Sequence, residues 1–557
     1  MQIHTLTEIP YNLMKKKLTL VMNCKYFYFH PFLEYLGYKY DEKRCRLAFL
    51  KINEAIYVRF FVKIYLFLIF LLSSIPNFIN LNKNFILFKF ITGILMLIFE
   101  SNVEFTSKPN ESVRDGVDQN YDTVIVGSGP GGSIAALRCL ERGEKVAIIE
   151  SGNSFNPEEI EHHSLEQTTR QFNQQGMSFC FGNMPVLYAE GSTYGGGSEV
   201  NSGLYFKLSG PYKKEFLNKT GISEGEWEET EKLIEEKISV QKAPANSFDN
   251  LNSALLRGSI KEGLIVEEIP RWRSYEPILQ HKSMQVTYLK QAEELGLKIY
   301  TNIEVSKILE LGNEIHVKGV DRKNEVEKDI VIKSKKVVLA AGTVNTPKIL
   351  KNSNLLNDTV SFNFHPMTRC VVDYGETVND GDLFPPYQSW TKDYKFKFGY
   401  SVSSFPFVKA TLASLGKYKN IPELSNLVCY FSSTVLDKSK GRILFFRKKA
   451  IPVIYITKKD RKKIKEGFKL LKKIMISSNV KNIWPKKNNP SLTSVHIFGS
   501  LPLNKNKDIG KYGELKINPN IKICDSSLLP IAPWGNPQAV MMVLNEILMT
   551  KWLKSFE

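Results

Sequence analysis

Hydrophobic positions between Tyr121 and Glu150 change their spacing twice, which predicts a strand, a helix and a second strand. The segment reads YDTVIVGSGPGGSIAALRCLERGEKVAIIE and opens on a β-branched run typical of a buried parallel strand. Gly127, Gly129 and Gly132 follow this run, and the alanine- and leucine-rich residues after them predict a helix. A second apolar run then leads to Glu150. The pattern predicts a βαβ unit of an α/β fold.

The three glycines have the G-x-G-x-x-G spacing of a dinucleotide-binding turn. Gly127 makes the turn, Gly129 lets the backbone approach a pyrophosphate, and Gly132 lets the helix pack against the strand. The N-terminal end of the helix is positive and attracts phosphate. Glu150 lies about 20 residues further on, where an acid binds a ribose hydroxyl, so FAD or NAD is favoured over NADP.

Three later segments contribute further elements. The cluster GSTYGGGSEVNSGLYFK, from Gly191, has no helical or strand period and predicts a loop that passes close to a flat or anionic group. Residues 335–350 predict a buried strand and a small-residue turn, with Pro347 opening a helix. The C-terminal stretch predicts a short strand to Asp525, an irregular loop with three prolines, and a long helix.

Charge gives little evidence for a macromolecular partner. The formal net charge is +18, but the lysines are scattered along the chain. The densest basic run, residues 458–473, alternates with apolar residues at helical spacing and predicts an amphipathic helix with a solvated basic face. No zinc-finger, homeodomain or RNA-recognition signature accompanies it, so nucleic acid is not expected as a partner.

Cysteine and histidine spacing predicts no metal site. The seven cysteines form no CxxC pair and are odd in number, which indicates reduced thiols in a reducing compartment. The adjacent His162 and His163 lie in a polar stretch, and we expect them on the solvated surface.

The N-terminal region is the second apolar part of the chain. Residues 64–82 carry no charge, and residues 84–99 are nearly as apolar. Helices docked on the catalytic body, monotopic membrane attachment and a spanning helix all stay open. The first twenty residues lack a cleavage pattern for a signal peptide. We expect a cytoplasmic protein, either free or held at a membrane surface through residues 55–100.

These segments together resemble the glucose-methanol-choline (GMC) oxidoreductases over about residues 119–557, with features similar to cholesterol oxidase and long-chain alcohol oxidases. In that family the first glycine motif binds the ADP part of FAD. The glycine cluster ending at Gly203 is similar to the family's first signature, and Ala341 to Pro347 is similar to its second. The cofactor-binding residues that the resemblance implies are Gly127, Gly129, Gly132, Glu150, Gly196, Gly197, Asn201, Gly203, Val305, Ala341, Gly342, Asp525, Asn536 and Pro537.

The resemblance also implies the catalytic pair. Residues 494–500 (SVHIFGS) look like the family's catalytic histidine segment, which makes His496 the base. Asn536 matches the partner position and would orient the substrate oxygen while hydride passes to flavin N5. His365 lies in a stretch similar to, but shorter than, the family's Asn-Leu-x-x-His-Pro segment.

The fold implied is α/β, with a Rossmann-like FAD-binding domain, a discontinuous α+β substrate-binding cap and a hydrophobic helical N-terminal extension. We expect the extension with its linker at 1–118, FAD-binding parts at 119–210 and 283–360, substrate parts at 211–282 and 361–485, and a C-terminal catalytic and flavin-binding segment at 486–557.

The substrate parts contain apolar patches such as FPFVKATLASL and VCYFSS, which favour a hydrophobic alcohol. Oxygen, a quinone and a cytochrome stay open as the electron acceptor. Two other functions also stay open: an FAD-containing lyase of the hydroxynitrile lyase type, and a membrane-associated FAD-binding module with an idle site.

Overall fold

Two large β-sheets form the framework of the chain in its computed structural model. The structure describes residues 107–110 and 120–557, except for 177, 185, 245–248, 275–279, 323–327, 357–359, 380–386, 418–419, 447 and 489–491. The expected apolar helices at 55–100 lie outside the described residues.

The strands follow one another in chain order as β1 Asn120–Val126, β2 Val146–Ile149, β3 Ser178–Gly182, β4 Val186–Tyr188, β5 Val240–Gln241, β6 Ile265–Glu268, β7 Arg271–Ser274, β8 Gln280–His281, β9 Lys298–Tyr300, β10 Ile303–Leu311, β11 Glu314–Asp321, β12 Lys328–Leu339, β13 Val360–Phe364, β14 Met367–Asp373, β15 Tyr387–Trp390, β16 Lys397–Tyr400, β17 Leu427–Ser433, β18 Gly441–Phe446, β19 Lys449–Ile454, β20 Asn482–Trp484, β21 Leu492–Ser494, β22 Ile497–Phe498 and β23 Ile521–Ile523.

The helices are α1 Pro130–Leu140, α2 Leu165–Gln171, α3 Gly197–Val200, α4 Gly210–Thr220, α5 Glu224–Lys237, α6 Asp249–Lys261, α7 Tyr288–Glu294, α8 Gly342–Asn352, α9 Phe405–Ser414, α10 Lys458–Ser477 and α11 Pro537–Lys554. Short 3-10 turns cover Asn173–Gly176, Leu424–Asn426 and Ser526–Leu528.

The first sheet contains a parallel core in the order β9-β2-β1-β12-β23. Its centre is apolar on both faces, since the consecutive residues Val124, Ile125 and Val126 of β1 alternate between the faces and are all buried. Helix α1 packs on it, and helices α7 and α11 pack on α1. The predicted strand, helix and second strand after Tyr121 are confirmed as β1, α1 and β2.

Parallel strands bring their carboxyl ends to one edge of a sheet, and this edge carries the residues of interest. β1 runs into Gly127, β2 into Glu150, β12 into Ala340 and β23 into Asp525. These residues are far apart in sequence and become neighbours because the strands pair.

The second sheet has thirteen strands, and its two faces are covered differently. Helix α10 packs on one face through Phe468, Leu471 and Ile474. The helix predicted for the basic run is therefore confirmed, and lysines occupy its outer side. Helix α9 packs on part of the other face, through Val408 and Leu412.

The start of α8 differs from the prediction. Pro347 was expected to open this helix, but the helix begins at Gly342 and Pro347 lies inside it. The early start has a local cause, because the Asp525 carboxylate accepts hydrogen bonds from the Gly342 N–H and the Thr346 hydroxyl. This carboxylate satisfies a backbone donor at the helix N-terminus, in the way a capping side chain does.

Over the part of the chain that the structure describes, no helix combines the length and the apolar character needed to cross a membrane.

Asp460 is fully buried at the start of α10, and its carboxylate binds the loop that precedes β18 of the second sheet. Its carboxylate accepts hydrogen bonds from the backbone N–H of Asp437 and Ser439 and from the hydroxyls of Ser439 and Thr457. Burial by itself would raise the pKa of this carboxyl, but the hydrogen bonds prevail and the pKa is lowered.

We predict that Asp460→Asn lowers the free energy of unfolding by about 2–4 kcal/mol at pH 7, because an amide leaves some of these donors unmatched. The folded-state pKa lies below the unfolded value, so the contribution is present above about pH 4 and is lost as the pH falls through the folded value. Urea unfolding at pH 7 and pH 3 measures this. The control Asp437→Asn removes exposed ion pairs and should cost less than about 1 kcal/mol; equal losses in the two variants would contradict the prediction.

Candidate active site

The turn after β1 is built from glycines because the backbone is crowded there. Gly127 has a φ of +97°, and a Cβ at this residue would lie 2.4 Å from the Ala340 carbonyl oxygen. A Cβ at Gly132 would lie 1.9 Å from the Gly127 carbonyl oxygen, so Gly132 serves the close packing of helix on strand. Gly129 lies between them at the N-terminus of α1.

The second glycine cluster packs directly on the first. Gly196 has a φ of +60°, and a Cβ there would lie 2.6 Å from the Gly129 Cα atom. The Gly195 N–H donates to the Ser128 hydroxyl at 3.1 Å. A Cβ at Gly197, in contrast, would meet no protein atom, and this residue lines an open cavity.

Glu150 connects the two ends of the βαβ unit. One oxygen of its buried carboxylate accepts from the Ser128 N–H at 3.0 Å and from the Ser128 hydroxyl at 2.7 Å. The other accepts from the Gly152 N–H at 2.9 Å. The acid is thus fixed at the carboxyl edge of the parallel sheet.

Asp525 has the same function on the other side of that edge. It accepts from the Gly342 N–H at 2.9 Å and from the Ser527 N–H at 2.7 Å, which joins the C-terminal segment to the second signature. Burial raises the pKa of Asp525, and the hydrogen bonds from Ser527 and Thr346 counteract this.

One cavity of about 780 Å³ runs along this edge and continues to the second sheet. Fourteen of the fifteen residues singled out in the sequence line it, and Gly132 is the exception. The fourteen are Gly127, Gly129, Glu150, Gly196, Gly197, Asn201, Gly203, Val305, Ala341, Gly342, His496, Asp525, Asn536 and Pro537.

His496 lies between β21 and β22 and forms a pair with His365. Their Nδ1 atoms are 3.2 Å apart. The backbone N–H of His365 also donates to the backbone carbonyl of His496 at 3.2 Å. Burial lowers the pKa of His496 well below its usual value, and the neighbouring His365 and Lys397 lower it further. Burial and Lys397 lower the pKa of His365 to about 3, against the effect of the Pro533 backbone. Both imidazoles are therefore neutral at pH 7.

Asn536 occupies the N-cap position of α11 without a capping hydrogen bond from its side chain, and Pro537 occupies the first position of that helix. The Asn536 Oδ1 atom accepts from the Lys397 amine at 3.3 Å. Nearby, the Asn201 side-chain N–H₂ donates to Gln538 at 2.6 Å, and the Asn201 Oδ1 atom accepts from the Gly203 N–H at 2.9 Å. The glycine cluster and the start of α11 are thus held in a fixed relation.

Lys397 and Arg369 line the same cavity, although no sequence pattern singles them out. Lys397 is 4% exposed, and its amine lies 4.8 Å from the centre of the Phe206 ring. Burial lowers the pKa of Lys397 to about 7. A strand that alternates charged and apolar residues has the same pattern whether its polar face meets solvent or a cavity, so only the fold distinguishes the two.

The expectation for His162 and His163 was wrong. The His162 Nε2 atom lies 2.7 Å from the Asn201 carbonyl oxygen, and His163 lines the cavity. Burial, with a smaller contribution from Arg273, lowers the pKa of His162 to about 4. The polar stretch folds over the glycine cluster, whose carbonyl groups need partners. No group of three or more potential ligands within the described residues could hold a metal ion.

Comparison with known proteins agrees with this geometry. A family model described as GMC oxidoreductase matches residues 121–368. The chain is 22% identical over 493 residues to an uncharacterized GMC-type oxidoreductase of Sinorhizobium fredii, covering 78% of this chain and 94% of that protein. It is 25% identical over 309 residues to a long-chain-alcohol oxidase of Arabidopsis thaliana, covering 49% of this chain and 41% of the plant protein.

The fold is also similar to that of a solved structure. Pyridoxine 4-oxidase from Mesorbium loti matches with a TM-score of 0.61 at 15% identity, covering 78% of this chain and 99% of that one.

We predict that Gly196→Ala abolishes FAD retention, because its Cβ would force the two glycine loops apart. The ratio of flavin to protein absorbance after purification measures retention. Gly143→Ala is the matched control, since Gly143 also has a positive φ but its Cβ would meet nothing within 4 Å. The control should keep its flavin at a cost of about 1 kcal/mol in stability. Full flavin content in Gly196→Ala would contradict the prediction.

Proposed function

We propose that this protein, an FAD-dependent oxidoreductase of the GMC family, oxidises an alcohol to an aldehyde or ketone with His496 as the base. The observation that carries the proposal is the meeting of two residue sets in one cavity. The nucleotide-type glycine edge forms one part, and His496, Asn536 and the buried Lys397 form another.

The residues present fit the cofactor. A Cβ at Gly197 would meet open space, and one at Gly342 would come no closer than 4.0 Å to any neighbour, so the backbone leaves room for a flat group. Glu150 lies where a ribose would bind, and the N-terminus of α1 is suited to a pyrophosphate. FAD bound there supplies the acceptor for two electrons and a proton equivalent, in the form of a hydride.

The histidine pair sets which nitrogen can act as the base. Each neutral imidazole has one N–H and one lone pair. When His496 donates from Nδ1 to His365, the His496 Nε2 lone pair is free to take the hydroxyl proton. In the opposite tautomer His496 carries its proton on Nε2 and cannot act as a base. We propose that His365 is a positioning residue that selects the competent tautomer.

Asn536 and Lys397 have the complementary role at the substrate oxygen. As the hydroxyl proton leaves, negative charge develops on that oxygen, and fixed donors in a site shielded from water stabilise it. The Asn536 amide orients the oxygen, and the Lys397 ammonium adds a positive charge that is already held in place before the reaction.

The wall opposite the glycine edge supports an alcohol with a largely apolar body. Phe407 and Ala410 on α9, with Phe431 and Met367 on the second sheet, line this part of the cavity. From the substrate part at 211–282, Trp272 is the described residue that lines the cavity.

We also propose the division of the chain made from the sequence. Strands β1, β2, β9–β12 and β23 of the parallel sheet fall in the parts assigned to FAD, and β13–β20 of the second sheet fall in the part at 361–485. The second sheet also includes β3, β4, β21 and β22, through which the FAD parts join the cap.

The proposal is tested by anaerobic titration of the holoprotein with aliphatic alcohols, sterols, choline and sugars, following the flavin absorbance. We expect an aliphatic alcohol to bleach the flavin absorbance. We expect the His496→Asn variant to retain FAD, but its flavin should be reduced about 10²–10⁴ times more slowly. His316→Asn, a change on β11 away from the cavity, is the control. No bleaching by any class with FAD bound would overturn alcohol oxidation in favour of the lyase.

The pH profile tests Lys397. Its pKa of about 7 makes the amine cationic below pH 7 and neutral above it. We predict that kcat/KM falls as the pH rises through about 7, with no rising limb near 6.5 because His496 is already neutral. Lys397→Met should lower kcat/KM at pH 6 by about 10²-fold and abolish the pH dependence. Lys395→Met, whose amine pairs with Glu466, should leave both unchanged. An identical profile in Lys397→Met would refute this role.

A further inference from the structure

Resting on the proposed alcohol oxidation, we infer that the substrate also carries a carboxylate and that Arg369 binds it. The inference starts from a second cation in the cavity, on the same sheet face as Lys397 and one row further along the strands.

Strand register places the two cations on one face. Lys397 pairs with Ser433, which pairs with Met367. Residues directly opposite in antiparallel strands share a face. We call these three residues the reaction row.

A second row lies two residues further along each strand, and we call it the arginine row. Here Arg369 pairs with Phe431, and Phe431 pairs with Gly399. A two-residue step keeps the same face, so both rows look into the cavity. A Cβ at Gly399 would lie 2.8 Å from the Phe431 ring, so glycine leaves room for that ring.

The reaction row is the one nearer the catalytic pair. Lys397 contacts Asn536, and Met367 pairs with Thr493, three residues before His496. The arginine row lies about 7 Å further along the strands. Beyond it, Val371 is covered by α9, which closes this end of the pocket.

Arg369 holds its guanidinium in place with neutral partners. Its Nε–H donates to the Ser401 hydroxyl at 2.8 Å, and a terminal N–H donates to the Thr493 hydroxyl. A guanidinium has five N–H donors, so these bonds leave donors free for a planar anion. Burial lowers the pKa of Arg369, but an arginine stays charged in a protein.

Neither cation has an acidic partner within the described residues. The acids that line the cavity are engaged elsewhere, each with partners of its own: Glu150 with Ser128, Glu190 with Asn173, Glu304 with Lys348 and Arg322, and Asp525 with Gly342 and Thr346. A charge held away from bulk water without a counterion is unfavourable, so a bound anion would complete the site.

The cofactor does not account for Arg369. Its pyrophosphate is expected at the N-terminus of α1, on the other sheet. A carboxylate matches both the single charge and the planar fork of a guanidinium. Met367 in one row and Phe431 in the other make the face beside the two cations apolar, which fits a spacer of a few carbon atoms, so the substrate class is a hydroxycarboxylic acid.

The test compares ω-hydroxycarboxylates, from hydroxybutanoate to hydroxyoctanoate, with diols of the same length on the holoenzyme. We expect a KM at least about 10-fold lower for the acids, and Arg369→Met to raise the KM of the acids about 10- to 100-fold with kcat and the diol KM little changed. Arg369→Lys should restore part of the loss. Arg442→Met, an exposed change on β18, is the control.

A second readout does not require turnover. Binding of the unreactive butanoate to octanoate series to the wild-type holoenzyme, measured by calorimetry, should be detectable and should be lost in Arg369→Met. This measurement stays informative if the variant folds poorly, because absence of binding to the wild type overturns the inference by itself.

The outcomes separate the two proposals. Flavin reduction by diols and acids with equal KM leaves alcohol oxidation standing and overturns the carboxylate site. Tighter binding of hydroxyalkyl phosphates than of carboxylates also overturns it, in favour of another anion. Carboxylate binding without reduction by any compound supports the site and overturns the oxidation.

Discussion

The contact between Gly129 and Gly196 is the constraint on which the rest of the site depends. At this point two loops from distant parts of the chain meet backbone to backbone, and a side chain at Gly196 would collide with the Gly129 Cα atom. The close approach brings the turn after β1 and the cluster before Asn201 to one edge of the parallel sheet. From Asn201 the connection continues through Gln538 to the start of α11, where Asn536 is held. The absence of a Cβ at Gly196 thus sets how closely the nucleotide edge approaches the residues proposed as catalytic.

Electrostatics divides the cavity into two regions. At the parallel sheet the acids Glu150 and Asp525 are held by backbone N–H groups and hydroxyls, which is the arrangement that suits a neutral or polyhydroxylated partner. At the second sheet the charges are positive and the imidazoles are neutral. A reaction that removes a proton and a hydride benefits from this separation, because the base stays available while the developing oxyanion meets a cation.

Local signals were sufficient for the first region and insufficient for the second. The glycine turn and Glu150, and outside the cavity the amphipathic helix α10 on the second sheet, are set by backbone strain and side-chain period, which can be read over a few residues. Lys397 and Arg369 belong to strands whose alternation does not reveal which face borders a cavity, and their approach depends on the register of three strands. His162 was misjudged for the same reason, since a polar stretch can satisfy buried carbonyl groups as well as water.

The pairing of β23 with β12 has a consequence for how the protein is made. The strand that completes the parallel sheet, the carboxylate that fixes Gly342, and the two side chains of His496 and Asn536 all come from the segment at 486–557. On the ribosome, the βαβ unit emerges hundreds of residues before these groups do. With FAD bound as proposed, the complete site forms only after residues 521–537 have been made and have docked beside β12, so bound flavin reports that docking.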